Sequence, residues 1–390
     1  MKANPMEWPR STNKFVFAKS KSMAGKIVAY CLCFCLLFVL GARAQDQDKD
    51  KTATYTEFEA PGAGTAAFEG TIAISINTSG VVAGEYYDST GVSHGFVRTA
   101  AGDITSFEAT GAGTASGQGT FSGAINTAGS IAGNYSDSKG AHHGFVRTAA
   151  GVITTFTVAG SGTANAQGTS CCDINASGTV SGFYIDKSGV SHGFVRTSAG
   201  VITKYNVTGA GTASGEGTRG GGINTAGTVA GYYIDSSDVL HGFVRTSAGV
   251  ITTYDLPSVG TSGTDEDTGA ASINDAGTIT GFYIDTSGVP TAFVRTAAGV
   301  ITNFNVSGAA ETFSEVINTS GVISGYYLSS SFASRGYLRT ASGAITTFDA
   351  PGSGTTEGTG TFAYGINAAG TIVGTYFESG GPFHAFIRTE

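Results

Sequence analysis

Short runs of β-branched and aromatic residues alternate along this chain with three- or four-residue clusters of Asn, Asp, Ser, Thr, Ala and Gly. One stretch reads Gly222-Ile223-Asn224, then segments 228–235, 241–246 and 250–255, with turn-like connectors at 224–227, 235–238 and 247–249. Segments of this length and content are strand signals. The connectors hold residues that accept positive φ or bond their own backbone. No segment has the length or the 3.6-residue period of a helix, and 60 glycines in 390 residues would weaken helices further. The pattern predicts an all-β chain built from four-strand units.

The unit recurs. An Ile-Asn pair, a glycine, a Gly-x-Tyr and a Phe-x-Arg-Thr (Tyr replacing Phe once) return seven times, with asparagines at Asn77, Asn126, Asn175, Asn224, Asn274, Asn318 and Asn367. The steps are 49, 49, 49, 50, 44 and 49 residues. Units of this size cannot bury their own apolar faces and must lean on neighbours. Seven units of four antiparallel strands predict a seven-bladed β-propeller. A β-helix or solenoid is the competing architecture, but it needs distinct end caps, and the first and last units here resemble the middle ones. Residues 54–61 match the last strand of a unit (compare 345–351), whereas the chain stops after a third strand, Phe386-Ile387-Arg388-Thr389. The N-terminal strand is therefore expected to complete the last blade and close the ring. The other register makes each blade whole, with the Thr-x-Phe strand innermost.

Most repeated residues have packing duties. Gly80 and its equivalents mark the first hairpin turn. Gly84 and its equivalents lie inside the second strand, where an aromatic ring from the adjoining blade is expected to approach. Phe96, Phe145, Phe194, Phe243, Phe293, Tyr337 and Phe386 are expected to pack with outer-strand rings such as Phe58 and Phe107. The recurrent arginines, Arg98 among them, are expected at blade edges, bonding to turn carbonyls or to an acid of the next blade. His94, His143, His192, His241 and His384 recur one per unit, so they read as structural hydrogen-bonding residues and not as a catalytic trio.

Asp88, Asp137, Asp186, Asp235 and Asp285 open the turns between second and third strands, and Glu216 and Glu266 lie in the long connectors. In a propeller these segments share one face, which would be acidic and variable. The aspartates either cap their own turns or present oxygens to a cationic or polyhydroxy ligand. No cofactor is implied; weakly held calcium fits such oxygens, although no D-x-[DN]-x-[DN]-G loop is present. The chain also lacks a Gly-x-Ser-x-Gly elbow, a His-Glu-x-x-His pair, a phosphate loop and a dinucleotide fingerprint.

The first 44 residues read as a secretory signal: six basic residues in 1–26, an apolar run over 27–40, and Gly41-Ala42-Arg43-Ala44 before a polar leader, 45–53. The run is shorter than the ~20 residues a membrane-spanning helix needs, so residues 45–390 are expected to carry no membrane span. They hold 14 basic and 28 acidic side chains, which disfavours nucleic acid and anionic membrane surfaces. Cys171 and Cys172 are adjacent and provide no disulfide framework. A monomer located outside the cytoplasm, in the periplasm, at the surface or secreted, is expected.

The pattern Ile-Asn-x-x-Gly-x-(Val/Ile)-x-Gly-x-Tyr, followed by His-(Gly/Ala)-Phe and Ile-Thr-x-Phe, resembles the bacterial extracellular repeats of the HAF family, plainest at His384-Ala385-Phe386. The resemblance spans all seven units over 54–390. It implies a secreted or surface protein and transfers no catalytic residues. The copies at Pro290-Thr291-Ala292-Phe293 and Ser334-Arg335-Gly336-Tyr337 depart from it. The expected role is a binding or scaffold module that recognises an extracellular glycan or protein through the connector-rich face. A polysaccharide lyase or glycoside hydrolase, which would need two carboxylates about 5–10 Å apart, and a purely structural envelope protein are the alternatives.

Overall fold

The computed structural model describes residues 53–257 and 269–390. The expected signal over 1–44, all but the last residue of the expected leader over 45–53, and the connector carrying Glu266 lie outside the described residues. Every regular element described is a strand, numbered β1–β28 along the chain.

After β1 (Thr54–Phe58), the strands β2 (Gly70–Ile76), β3 (Val82–Tyr87), β4 (Ser93–Arg98) and β5 (Ile104–Phe107) form an antiparallel four-stranded group. The plan repeats with each sequence unit as far as β25 (Ile345–Phe348). The final unit supplies three strands, β26 (Gly360–Ile366), β27 (Ile372–Phe377) and β28 (His384–Thr389). β1 pairs antiparallel with β28, placing Thr54 opposite Thr389 and Phe58 opposite Ala385. The first strand of the chain is thus the fourth strand of the last group. Successive groups meet where a third strand touches the next first strand, as at the parallel bridge from Ser93 to Gly119.

The Ile-Asn pair ends each first strand because the asparagine builds the turn that follows. Asn77 Oδ1 accepts the N–H of Ser79 and of Val81 at 3.0 Å, and Gly80 completes the turn at φ +77°. Its Nδ2 donates across to Asn126 O at 3.2 Å, and Asn126 donates to Asn175 O at 2.9 Å. The same bond passes from group to group until Asn318 reaches Asn367 O at 3.0 Å and Asn367 reaches back to Asn77 O at 3.2 Å. The seven Ile-Asn pairs line a cavity of about 230 Å³.

The residues facing Gly84 correct one expectation. A side chain there would strike Ile72 O and the ring of Phe96, a residue of the same group and not of an adjoining one. The reason is register: Gly84 lies directly opposite Phe96 on β4, so the cross-strand neighbour takes the space. Contact between groups occurs one layer further out. Phe96 meets Phe58 edge-on at 5.9 Å, Phe145 meets Phe107 at 5.8 Å, and Phe386 meets Phe348 at 6.5 Å. The recurrent arginines stack on those outer rings: Arg98 over Phe58 at 4.9 Å, Arg388 over Phe348 at 4.8 Å. Arg98 also donates to its turn carbonyl, Thr99 O, at 3.3 Å. Phe58 of β1 therefore serves the first group as Phe107 serves the second.

Candidate functional site

Because the strands alternate in direction, the turns after first and third strands share one end. The turns after second and fourth strands, including the long connectors, share the other. Asp88, Asp137, Asp186, Asp235, Asp285 and Glu216 belong to this connector end.

Here each aspartate is engaged with its own turn. Asp88 Oδ1 accepts the N–H of Thr90 at 2.8 Å and of Val92 at 3.1 Å, while Oδ2 meets His94 Nε2 at 3.1 Å. Asp137, Asp186 and Asp235 repeat the arrangement with His143, His192 and His241 at 3.3, 3.3 and 3.4 Å. Asp285, whose unit has Thr291 in place of histidine, accepts the N–H of Ser287 and Val289 at 2.8 and 3.1 Å. Partial burial works against ionisation of Asp88, but bonds from Thr90, His94 and the turn amides outweigh it and hold the carboxyl at about 2. For His94 burial is likewise opposed, and bonds to Glu108 and Asp88 with their charges raise it above the ordinary value.

The other face of each histidine stacks on a tyrosine, as His94 does on Tyr86 at 4.8 Å. The Nδ1 atoms reach the residue fourteen places on: Glu108 for His94, Thr157 for His143 and Asp255 for His241. Arg335 takes the histidine's place in its unit and pairs with Asp349 at 3.6 Å. His384 finds its partner in Glu59, the residue that follows β1, at 2.7 Å.

The connector acids are also turn-closing. Glu216 Oε2 accepts the N–H of Ala213 at 2.7 Å, and Glu69 accepts that of Ala66 at 2.8 Å. Gln118 and Gln167 do the same in their connectors at 3.2 and 3.3 Å. The described acids of this set, Asp88, Asp137, Asp186, Asp235, Asp285 and Glu216, are therefore spread over the connector end of the first five units, each with an oxygen already committed. Among the described residues no group of three or more His, Cys, Asp or Glu comes together to hold a metal ion. Cys171 is buried and Cys172 half-buried.

Beneath the connectors, at the seams between first and second strands of neighbouring groups, lie side chains that differ from unit to unit. Glu85 is 3% exposed, and burial raises its carboxyl to about 8 despite bonds from the Tyr87 hydroxyl at 3.3 Å and the Ser122 amide. At the equivalent place Asn134 Oδ1 accepts the Cys171 N–H at 2.6 Å. Arg219 lies between Phe183 and Tyr232, at 5.3 and 5.9 Å from their ring centres, and donates to Ser191 Oγ and Tyr232 OH at 3.1 and 3.2 Å. Tyr364 packs among Ile72, Ile74, Phe377 and Phe383. Burial lifts its hydroxyl well above the ordinary range, helped by the nearby Tyr326, Glu315, Glu85 and Tyr87. Sequence reading passed over these residues. Their signal was present, since each is a charged, amide or aromatic residue at a strand position where other units carry a different type.

No family model matches the chain, and no curated protein matches it. Solved structures do. A streptogramin B lyase aligns with a TM-score of 0.53 at 12% identity, covering 86% of this chain and 97% of that one. A prolyl endopeptidase aligns at 0.52 and 11% identity over 78% of this chain, which spans 46% of that one. The β-propeller domain of the Trilobed protease from Pyrococcus furiosus aligns at 0.49 and 9% identity, covering 81% and 95%. The likeness is one of fold, and the fold is a β-propeller of four-stranded blades.

Proposed function

We propose that the chain is a closed seven-bladed propeller, exported from the cell, whose connector end recognises an extracellular glycan or protein. Closure is supported by the β1–β28 pairing, the Asn367-to-Asn77 bond and the packing of Phe58 against Phe96 and Arg98. Membership of the HAF repeat family rests on the recurrent motifs, and export on the first 44 residues. Calcium, if it participates, is held weakly by connector-end oxygens.

The observation that carries the functional reading is the contrast between the two ends. At the asparagine end the transverse bond recurs from unit to unit with the same partners. At the connector end the units differ: the turn-closing residue is Glu69, Gln118, Gln167, Glu216 or Thr359, and the step from Asn274 to Asn318 is 44 residues where the steps on either side are 50 and 49. Variation on a rigid scaffold, at loops that do not set the packing, is where binding specificity is built.

The test is binding of purified residues 45–390 to an array of glycans and peptidoglycan fragments, with calcium and then with chelator. Selective binding that weakens when Asp88, Asp137, Asp186 and Glu216 are neutralised together is expected. A blank array from folded protein would sink the glycan version and leave a protein partner or a structural role.

Catalysis on a polysaccharide has one observation behind it: the carboxyls of Glu85 and Glu315 both act on Tyr364, and Glu85 is held protonated near neutrality. Both are buried, at 3% and 7% exposure, which favours the binding reading. Release of reducing ends or unsaturated uronates by the native protein, abolished in Glu85→Gln, would reverse that preference.

A further inference from the structure

Two phenylalanines at the connector end occupy positions that folding alone does not favour. In the connector turn, Gly117, Gly215 and Gly358 stand at φ between +76° and +94° and Ala166 at φ +61°, and the first unit places the much bulkier Phe68 there at φ +66°. In the turn between second and third strands, Gly91, Gly140, Gly189 and Gly288 stand at φ between +77° and +84° and Asp238 at φ +59°, and the sixth unit places the bulky, apolar Phe332 there at φ +57°. Glycine adopts this region freely, whereas a side chain crowds the following carbonyl. Both rings are also turned towards solvent, at 44% and 37% exposure. Backbone strain and apolar exposure both oppose these residues, and residues held against both are drawn to functional sites.

The two positions flank one blade. Phe68 lies over the seam between the last unit and the first, with its ring 6.4 Å from that of Phe383, whose N–H donates to Glu69 O at 2.7 Å. Phe332 lies over the preceding seam, its carbonyl accepting the N–H of Gly358 at 3.2 Å. Between them runs the exposed, polar connector segment Thr355, Thr356 and Glu357. Below Phe68 a continuous series of rings descends through Phe383, Phe377 and Phe362 at centroid spacings of 5.0 and 5.6 Å, giving the site a rigid floor.

We infer that Phe68 and Phe332 form a binding site for a neutral oligosaccharide lying across the last blade. The faces of the rings carry partial negative charge and suit the C–H faces of pyranose rings. The exposed side chains of Thr355 and Glu357 offer oxygens to sugar hydroxyls, while the Thr356 hydroxyl lies 3.4 Å from Thr359 Oγ1. A polyanion is disfavoured by the acidic surface of the chain. A protein partner is the weaker fit, because the rings are separated by polar residues, whereas a stable protein interface needs a continuous apolar centre within roughly 800 Å² per side. The inference rests on the connector end being the recognition surface and specifies where on it and for what chemistry.

The test uses residues 45–390 with cellohexaose, chitohexaose, xylohexaose and mannohexaose, measured by calorimetry, alongside Phe68→Gly, Phe332→Gly and Phe332→Tyr. Glycine relieves the backbone, so the variants fold, and Phe332→Gly is expected to melt at or above the native temperature. Binding of at least one hexaose, weakened roughly tenfold by each glycine variant and retained by Phe332→Tyr, supports the site. Hexaose binding that both glycine variants leave unchanged overturns this site while the wider connector-end reading survives. Failure of the native protein to bind any hexaose at millimolar concentration overturns the sugar assignment, whatever the array shows for peptides or proteins.

Discussion

Replacing Asn367 by alanine probes ring closure. Its side chain accepts the N–H of Ala369 and of Thr371 at 3.0 Å and donates to Asn77 O at 3.2 Å. Asn126 is its match, accepting from Ala128 and Ser130 at 3.1 and 2.9 Å and donating to Asn175 O at 2.9 Å. Both are about equally buried, at 6%. Three bonds at a net ~0.5–1.5 kcal/mol each put either alanine variant about 2–4 kcal/mol below the native protein. For a domain of roughly 340 residues, an unfolding entropy near 2.1 cal/mol/K per residue converts this to a fall of about 3–6 °C in Tm. Urea titration and calorimetry of the two variants side by side provide the comparison. In a closed ring Asn367→Ala and Asn126→Ala cost the same. In an open chain of blades the Asn367 amide would face water, and its variant would cost less by about one bond, roughly 1 kcal/mol. That inequality would refute closure.

Three further outcomes follow from the same geometry. Glu85 has a folded value near 8, above its ordinary 4.5, so stability is greatest below the unfolded value and declines as pH rises until about 8. Glu85→Gln should remove this slope and stabilise the protein at pH 7 by about 3 kcal/mol, read by urea titration from pH 5 to 9; an unchanged slope would show the carboxyl to be solvated. Asp88 has the opposite sign: its contribution is present above its ordinary value near 4 and is lost as pH falls towards 2. Asp88→Asn should therefore flatten the acid limb of the stability curve between those values. Phe58→Ala should destabilise the protein as Phe107→Ala does, within about 1 kcal/mol, because both rings fill the same place against a neighbouring blade; a far smaller effect for Phe58 would mean that β1 is loosely held.

The strand pattern, the unit length and the pairing of the first described strand with the last were legible because turn clusters and β-branched or aromatic runs alternate along most of the chain, and because strands can be counted. The rings that pack between blades were legible for the same reason: Phe96 and Phe58 recur at fixed offsets. The Gly84 neighbour was misread because sequence spacing does not reveal which of two equally spaced rings, own blade or next, lies opposite in the register. The aspartates were recognised as turn residues or ligands, but whether Asp88 keeps a free oxygen depends on the turn folding back to put His94 within 3.1 Å. Phe68 and Phe332 can be seen as departures once the units are aligned. Their meaning required the sign of φ and the exposure of the rings, which no spacing conveys.

The direct measurement of where recognition occurs is hydrogen–deuterium exchange of residues 45–390, free and saturated with the tightest ligand found on the array. Protection is expected in the connectors and second-to-third-strand turns, strongest over 60–70, 329–334 and 351–360, with the asparagine turns at 77–81 and 367–371 unchanged. Protection centred on the asparagine turns, with the connectors exchanging as in the free protein, would contradict the assignment of the connector end as the recognition surface.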